Sequence, residues 1–332
     1  FFGLNFEVNL SYAVPLAGLF QLLFLIFITK YYYKPSINFK IKINSRIKFF
    51  LKKLLPSIFS SGVTQVNILI GTIIASFETG AVSYLYYADR IYQINLAIAG
   101  IAIGTVALPE LSKNIKIGNI SNVMNIQIKS LELCLLLSLP ACFGLIIASE
   151  EITSALFGYG SFGEKEVVLT ARALKYFGVG VPAFALIKVL SNFLFARDNT
   201  KVPFYISAFI VFLNILISVL YFKEIGFVII PIATSVSTWI GVVIYLILLI
   251  KFKYVNFKSS FFVNLTKVVV STVIMAFALY YSINFFEDKL VYSNYYKSFY
   301  LIMIIVLNAG IYLLLARLLG ALKIKNFITD QK

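Results

Sequence analysis

The sequence predicts an all-α, polytopic membrane helical bundle of about nine transmembrane helices. Three observations predict it: the composition, a series of apolar runs of about twenty residues, and an alternation of Lys and Arg between successive connections. Of 332 residues, 60% are hydrophobic and 13% charged, and mean hydropathy is +0.91. Soluble domains run nearer about 45–50% apolar and about 25% charged. So few charges cannot cover so much apolar surface, and the surrounding medium is therefore largely lipid.

Apolar runs of about 18 or more residues read as membrane helices, and nine follow in order. The first covers 10–29. The second, 54–77, starts beside Pro56, which suits a first helical turn. The third, 81–108, is expected to stop before Pro109, and the fourth, 128–149, to be interrupted by Pro140. The fifth, 168–196, contains Gly178, Gly180 and Pro182. The remaining runs are 202–222, 226–250, 261–285 and 298–322. They are too long for strands of an outer-membrane barrel and lack its polar–apolar alternation. The opening residues lack a Met and begin in mid-pattern, which reads as a fragment without its N-terminal part.

Charge distribution tests the count. The 30–53 connection carries Lys30, Lys34, Lys40, Lys42, Arg46, Lys48, Lys52 and Lys53. The same side holds Lys113, Lys116, Lys129, Arg197, Lys201, Lys251, Lys253 and Lys258, then Arg317, Lys323, Lys325 and Lys332 in the tail. The other side has only Lys165, Lys223, Lys289 and Lys297. The chain start is thus expected outside and the tail in the cytoplasm. This spread also accounts for the net charge of +15 without nucleic acid, because no aromatic stacking platform accompanies the cations. Contact with anionic membrane lipids is the expected use of the 30–53 stretch.

Several chemistries are excluded. With no His, there is no His-based metal site, general base or Ser-His-Asp triad. Cys134 and Cys142 lie in one apolar run and read as inert core thiols. Gly100-Ile101-Ala102-Ile103-Gly104 lies within an apolar helix and lacks a following Lys-Ser/Thr, so it is no nucleotide loop. No catalytic carboxylate pair stands out, and a lipid-carrier transferase would be expected to expose more Asp and Glu on the cytoplasmic side than Glu110, Asp198 and Asp330.

Ionisable residues within spans are functional-site candidates by default. Arg90 lies nine residues into the third run, about 13–14 Å along the axis. Tyr86, Arg90 and Gln93 follow an i, i+4, i+7 spacing and form a polar stripe suited to a watery cavity. Asp89, about 100° round the helix, is placed to orient Arg90 or to pair with another helix. A guanidinium can capture phosphate or carboxylate bidentately, and it can equally form an interhelical ion pair that fixes packing. The residues alone leave both readings open. Lys188 is deep in the fifth run but within snorkelling reach of the cytoplasmic end. Gln65, with Ser61 and Asn67, makes the second run polar. Gly100 and Gly104 favour close helix packing.

Tyr86-Tyr87-Ala88-Asp89-Arg90, followed by Gly100 to Ser112 (Gly-Ile-Ala-Ile-Gly-Thr-Val-Ala-Leu-Pro-Glu-Leu-Ser), resembles the signature of the MurJ (MviN) lipid II flippases. Pro56-Ser57-Ile58, Ile74-Ala75-Ser76-Phe77, Leu156-Phe157-Gly158-Tyr159-Gly160-Ser161-Phe162 and Phe195-Ala196-Arg197-Asp198-Asn199-Thr200-Lys201-Val202-Pro203 fit the same family. These motifs cover about residues 54–205. The resemblance implies a MATE-like fold of the multidrug/oligosaccharidyl-lipid/polysaccharide exporter superfamily, with two six-helix lobes and an extra helix pair. Residues 1–30 would be the last helix of the first lobe, 31–53 a basic cytoplasmic linker, 54–250 the second lobe, and 251–332 the extra pair and tail. It further implies a transporter of the bacterial inner membrane, not an enzyme, without cofactor or metal. Its substrate would be lipid II, moved from the cytoplasmic to the outer leaflet by alternating access for cell wall synthesis, with other cell wall synthesis proteins as partners. Arg90 matches the family's cavity arginine, and Asp89, Tyr86, Gln93, Gln65 and Lys188 complete the expected substrate-binding set. The alternatives are a transporter of another polyprenyl-linked saccharide and a cation-coupled drug exporter.

Overall fold

The computed structural model describes residues 6–32, 44–45, 47–48 and 65–322. Pro56, Ser61, most of the basic 30–53 connection and the tail beyond Leu322 lie outside the described residues. All regular structure among the described residues is helical. Contacts divide the chain into two units, residues 1–53 and 54–332. The first holds α1 (Phe6–Tyr32), which is apolar on every side and exposed along its described length, as a membrane span is.

The second unit begins with α2 (Gln65–Ala75), the described part of the expected second span. Then come α3 (Ala81–Leu96), a π turn (Ala97–Ala102), α4 (Ile103–Ile117) and α5 (Ile120–Ile147). A short α6 (Ser149–Phe157) leads into α7 (Glu164–Phe195), α8 (Lys201–Ile225) and α9 (Ile229–Lys251). The chain ends in α10 (Ser259–Phe285), the single turn α11 (Glu287–Leu290) and α12 (Lys297–Leu318). By length and composition seven helical stretches can cross a membrane, the longest being Lys201–Lys251. That stretch is a hairpin of α8 and α9, packed side by side and turned at Gly226, whose φ of 76° favours glycine. With α2 and with α8 and α9 taken separately, the described residues match the expected count of about nine.

Two expectations about proline are corrected. The third span does not stop before Pro109: helix continues to Ile117 and ends at Gly118 in the left-handed conformation, with Asn119 capping α5 by accepting the Asn122 amide at 3.1 Å. Pro140 does not interrupt α5 either. A proline lacks the amide that its i−4 carbonyl would accept from, here that of Leu136. The Tyr312 hydroxyl of α12 donates to that carbonyl at 2.6 Å and replaces the missing bond. Pro182 in α7 likewise leaves a carbonyl, that of Gly178, without its helix amide. On either side of the Gly178 carbonyl it leaves unserved, α9 donates from Ser235 Oγ to Tyr176 O at 2.7 Å and from Trp239 Nε1 to Val179 O at 3.0 Å.

The centre of this unit is α7: 78% of its most apolar stretch is buried, against 22–39% for the other spans of the unit. Its Ala and Gly residues let α3, α5 and α9 approach closely. Tyr92 of α3 stacks on Phe177 and Phe184 of α7, with ring centroids 4.7 and 5.2 Å away. At the π turn, a Cβ on Gly100 would stand 3.0 Å from the Ala185 Cα, so any side chain there would push the α7 backbone back.

Polar pins hold the remaining helices. Asn214 of α8 donates to Asn67 of α2 at 2.8 Å. Glu78, in the turn after α2, accepts the Phe227 amide at 2.8 Å and ties that turn to the α8–α9 turn. Asn264 of α10 donates to Glu132 of α5 at 2.9 Å, so Glu132 is a packing contact. Arg197 lies over the Tyr254 ring at 4.2 Å and joins the α7–α8 and α9–α10 connections. Cys134 and Cys142 are buried and unpaired thiols, as a core role requires.

Two outcomes test this packing. Tyr312→Phe should lower unfolding stability in detergent by ~1 kcal/mol, and the loss should shrink in a Pro140→Ala background, where the helix supplies its own amide to Leu136. Gly100→Val should cost about 1–3 kcal/mol by overpacking against Ala185, read as a lower thermal midpoint.

Candidate functional site

Helix α3 begins after Gly80, which is left-handed with φ 80°. Ala81, Ala88 and Ile91 turn inward onto α7, and Tyr92 is clasped by the two α7 phenylalanines. The opposite face is therefore left outward, and it carries Tyr86, Arg90 and Ile94, all exposed. The Arg90 guanidinium lies over the Tyr86 ring, 4.7 Å from its centroid. Among the described residues Arg90 has no hydrogen-bond or ion-pair partner, and the stack on Tyr86 is its recorded polar contact. The flat cation is thus held by its face, and its edge, with five N–H donors, stays open.

The expected stripe is only partly formed. Tyr86 and Arg90 meet, but Gln93 leaves the stripe: its Nε2 donates to Asp89 Oδ2 one turn back. Asp89 also shares a hydrogen bond with Tyr92. Asp89 therefore neither pairs with another helix nor holds Arg90 by a hydrogen bond, and it acts on Arg90 only as an adjacent charge. The carboxylate's hydrogen bonds are made within α3, by the i, i+3 and i, i+4 contacts that any helix offers.

Lys188 and Gln65 are both exposed. Lys188 is level with Gly104, whose added Cβ would be 3.8 Å from the Lys188 carbonyl oxygen. Gly104 follows Arg90 by fourteen residues, about 21 Å along the helix. Gln65 stands at the described start of α2, while the nearby Asn67 is occupied by Asn214. Arg172 and Lys175 are exposed on α7. Among the described residues, no group of three or more His, Cys, Asp or Glu could hold a metal ion.

Three features of the site region escaped the sequence reading. Tyr92 is the anchor that sets the rotation of α3, and aromatic pairing with Phe177 and Phe184 gives no local signal. The π turn follows from close packing of Gly100 on Ala185, for which the Gly100–Gly104 spacing is the only hint. Lys297, at the start of α12, is 2% exposed, with Nζ donating to Gly158 O and Tyr292 O at 2.8 Å each and lying over the Tyr159 and Tyr292 rings.

The chain matches the family model described as lipid II flippase MurJ over residues 1–322. A probable lipid II flippase MurJ of Rhizobium tropici is 33% identical over 318 residues, covering 95% of this chain and 60% of that protein. The corresponding protein of Rickettsia prowazekii (strain Madrid E) is 37% identical over 243 residues, covering 72% of this chain and 47% of that protein. A solved lipid II flippase MurJ in an inward closed conformation superposes with TM-score 0.68 at 25% identity, covering 84% of this chain and 57% of that one. An outward-facing multidrug resistance MATE family transporter of the MOP superfamily shares the fold alone, with TM-score 0.53 and 16% identity over 70% of this chain and 53% of that one. The chain thus spans about half to three-fifths of the length of these proteins. It is a multi-pass membrane protein, and it belongs to the lipid II flippase MurJ family.

Proposed function

We propose that this chain supplies the second lobe and extra helix pair of a lipid II flippase, and that Arg90 binds the pyrophosphate of the lipid-linked precursor. The observation that carries the reading is the Arg90 guanidinium itself: exposed within an apolar helix, fixed by the Tyr86 ring, and open at its donor edge. Pyrophosphate presents oxygen pairs that match that edge bidentately. A polar, anionic head group cannot cross about 30 Å of hydrocarbon without such a site.

In this reading the basic end of the unit faces the cytoplasm, and the chain start lies outside. Lys188, nearer the basic end, meets the head group first, and Arg90 takes it about 21 Å further along. Asp89 and Gln93 flank the Arg90 position, and Gln65 adds an amide from α2. Access alternates by rocking of lobes about the loaded site. A membrane potential negative inside favours outward movement of anionic charge by about 2.3 kcal/mol per charge per 100 mV.

The test is complementation of a flippase-depleted strain by a protein containing this chain. Arg90→Ala should abolish growth at unchanged protein level, and Arg90→Lys should restore only a minor fraction, because a point charge cannot bind two oxygens side by side. Tyr86→Phe, which keeps the ring, should complement fully, and Tyr86→Ala should not. Normal growth with Arg90→Ala would refute the assignment. Lys188→Ala should slow accumulation of outer-leaflet precursor several-fold without abolishing it, measured by labelling of exposed lipid II.

A further inference from the structure

At the end of the second unit opposite the Arg197–Tyr254 contact, α6, α7 and the α10–α11 corner border an open cavity of about 330 Å³. Four carboxylates line it: Glu150 and Glu151 of α6, Glu164 of α7 and Glu287 of α11. Two buried polar atoms there are unsatisfied. Ser154 is only 5% exposed, and its hydroxyl has no hydrogen-bond partner; Glu151 Oε2 is buried without one as well. Leaving such atoms unpaired is costly, and each unpaired one calls for an explanation. The nearest buried cation, Lys297, does not line the cavity and has its own carbonyl and aromatic partners.

The geometry points to a binding site for a primary ammonium group carried on a short aliphatic stem. An ammonium has three donors and no acceptor, and this cavity offers carboxylates together with an unpartnered hydroxyl. Glu151 Oε2 and Ser154 Oγ would each take one N–H, and a rim carboxylate the third. Val167, Ile283 and Val291 line the same cavity and would cover the methylenes, as apolar surface does along a lysine stem. A bare metal ion has no use for such walls, and the described carboxylates form no group of three able to hold one. Burial is the largest influence on the Glu151 carboxyl and raises its pKa, and neighbouring Glu150 raises it further against a backbone hydrogen bond. An arriving cation reverses that shift.

This site is independent of the Arg90 reading, and binding tests it directly. The probe is radiolabelled 1,5-diaminopentane, titrated against the full chain in phosphatidylcholine nanodiscs. A second arm uses Nα-acetyl-lysine N-methylamide, and 1-pentanol is the neutral control. We expect saturable binding of one amine per chain, loss of at least tenfold in affinity in Glu151→Gln, and no competition by pentanol. Glu164→Gln/Glu287→Gln, at exposed positions that leave the fold intact, should weaken binding about as much, and Arg90→Ala not at all. Tighter binding of the diamine would assign a free polyamine, and tighter binding of the lysine amide a peptide side chain. Non-saturable uptake, binding that survives both sets of carboxamide variants, or displacement by Mg2+ as effective as by unlabelled amine would overturn the proposal.

Discussion

In hydrocarbon every backbone amide and carbonyl must find its partner inside the protein, and this constraint organises the second unit. Three prolines lie past the first turn of its long helices, at Pro109, Pro140 and Pro182, and such a proline leaves one carbonyl without its amide. In water that carbonyl would be solvated. Here the carbonyl freed by Pro140 is met by Tyr312 of α12, while Ser235 and Trp239 of α9 donate to the Tyr176 and Val179 carbonyls that flank the one freed by Pro182. Each contact fixes a neighbour in rotation and in height. Pro140, which locally weakens its own helix, thereby ties α12 to α5.

The same logic places the site. Because α7 is held from one side by α9 and from another by α5, its small-residue face is left for α3. Tyr92 locks between Phe177 and Phe184, and Gly100 lies against Ala185. Once those contacts set the rotation of α3, residues two before Tyr92 and six before it must turn away from α7. Arg90 and Tyr86 are those residues. The exposure of the cation is thus a consequence of aromatic packing on the far side of its own helix. The α10–α12 pair is bound at both ends, by Asn264 to Glu132 and Tyr312 to Leu136 on α5, and by Lys297 to Gly158 and Ser298 to Ala155 beside α6. These contacts hold the pair to the unit at both of its ends.

Much of this was legible in the sequence. The ends of α8, α9, α10 and α12 fall within a few residues of the apolar runs, because lipid imposes length and charge marks the exits. Arg90 was singled out because an arginine in an apolar run has no cheap explanation. What was not legible depends on partners distant in sequence. Pro140 reads as a break because the chain does not announce that Tyr312, 176 residues after Leu136, will serve the freed carbonyl. Gln93 is an instructive miss: its i, i+7 relation to Tyr86 and its i, i+4 relation to Asp89 were equally visible, and the shorter hydrogen-bonding contact prevails. Lys297 read as one more cation at a span end, although loop carbonyls and two tyrosine rings enclose it.

Magnitudes decide what Arg90 requires. A cation–π contact contributes about 0.5–1 kcal/mol when exposed and about 2 when desolvated. An arginine at the centre of a membrane helix costs from about 2.5–3.5 kcal/mol on insertion scales to over 10 in other estimates. The Tyr86 stack therefore offsets a fraction of the cost at best. Asp89 contributes to Arg90 only as an adjacent charge, its hydrogen bonds being made to Gln93 and Tyr92. A helix that keeps its arginine outward under these terms retains an unmet demand for water or for an anion. Water alone would satisfy the donors but would not exploit a guanidinium fixed flat on a ring with its edge presented. In the proposed role, a phosphate oxygen pair meets both the charge and the geometry, and the feature that makes α3 costly to hold in lipid is the one that binds the head group.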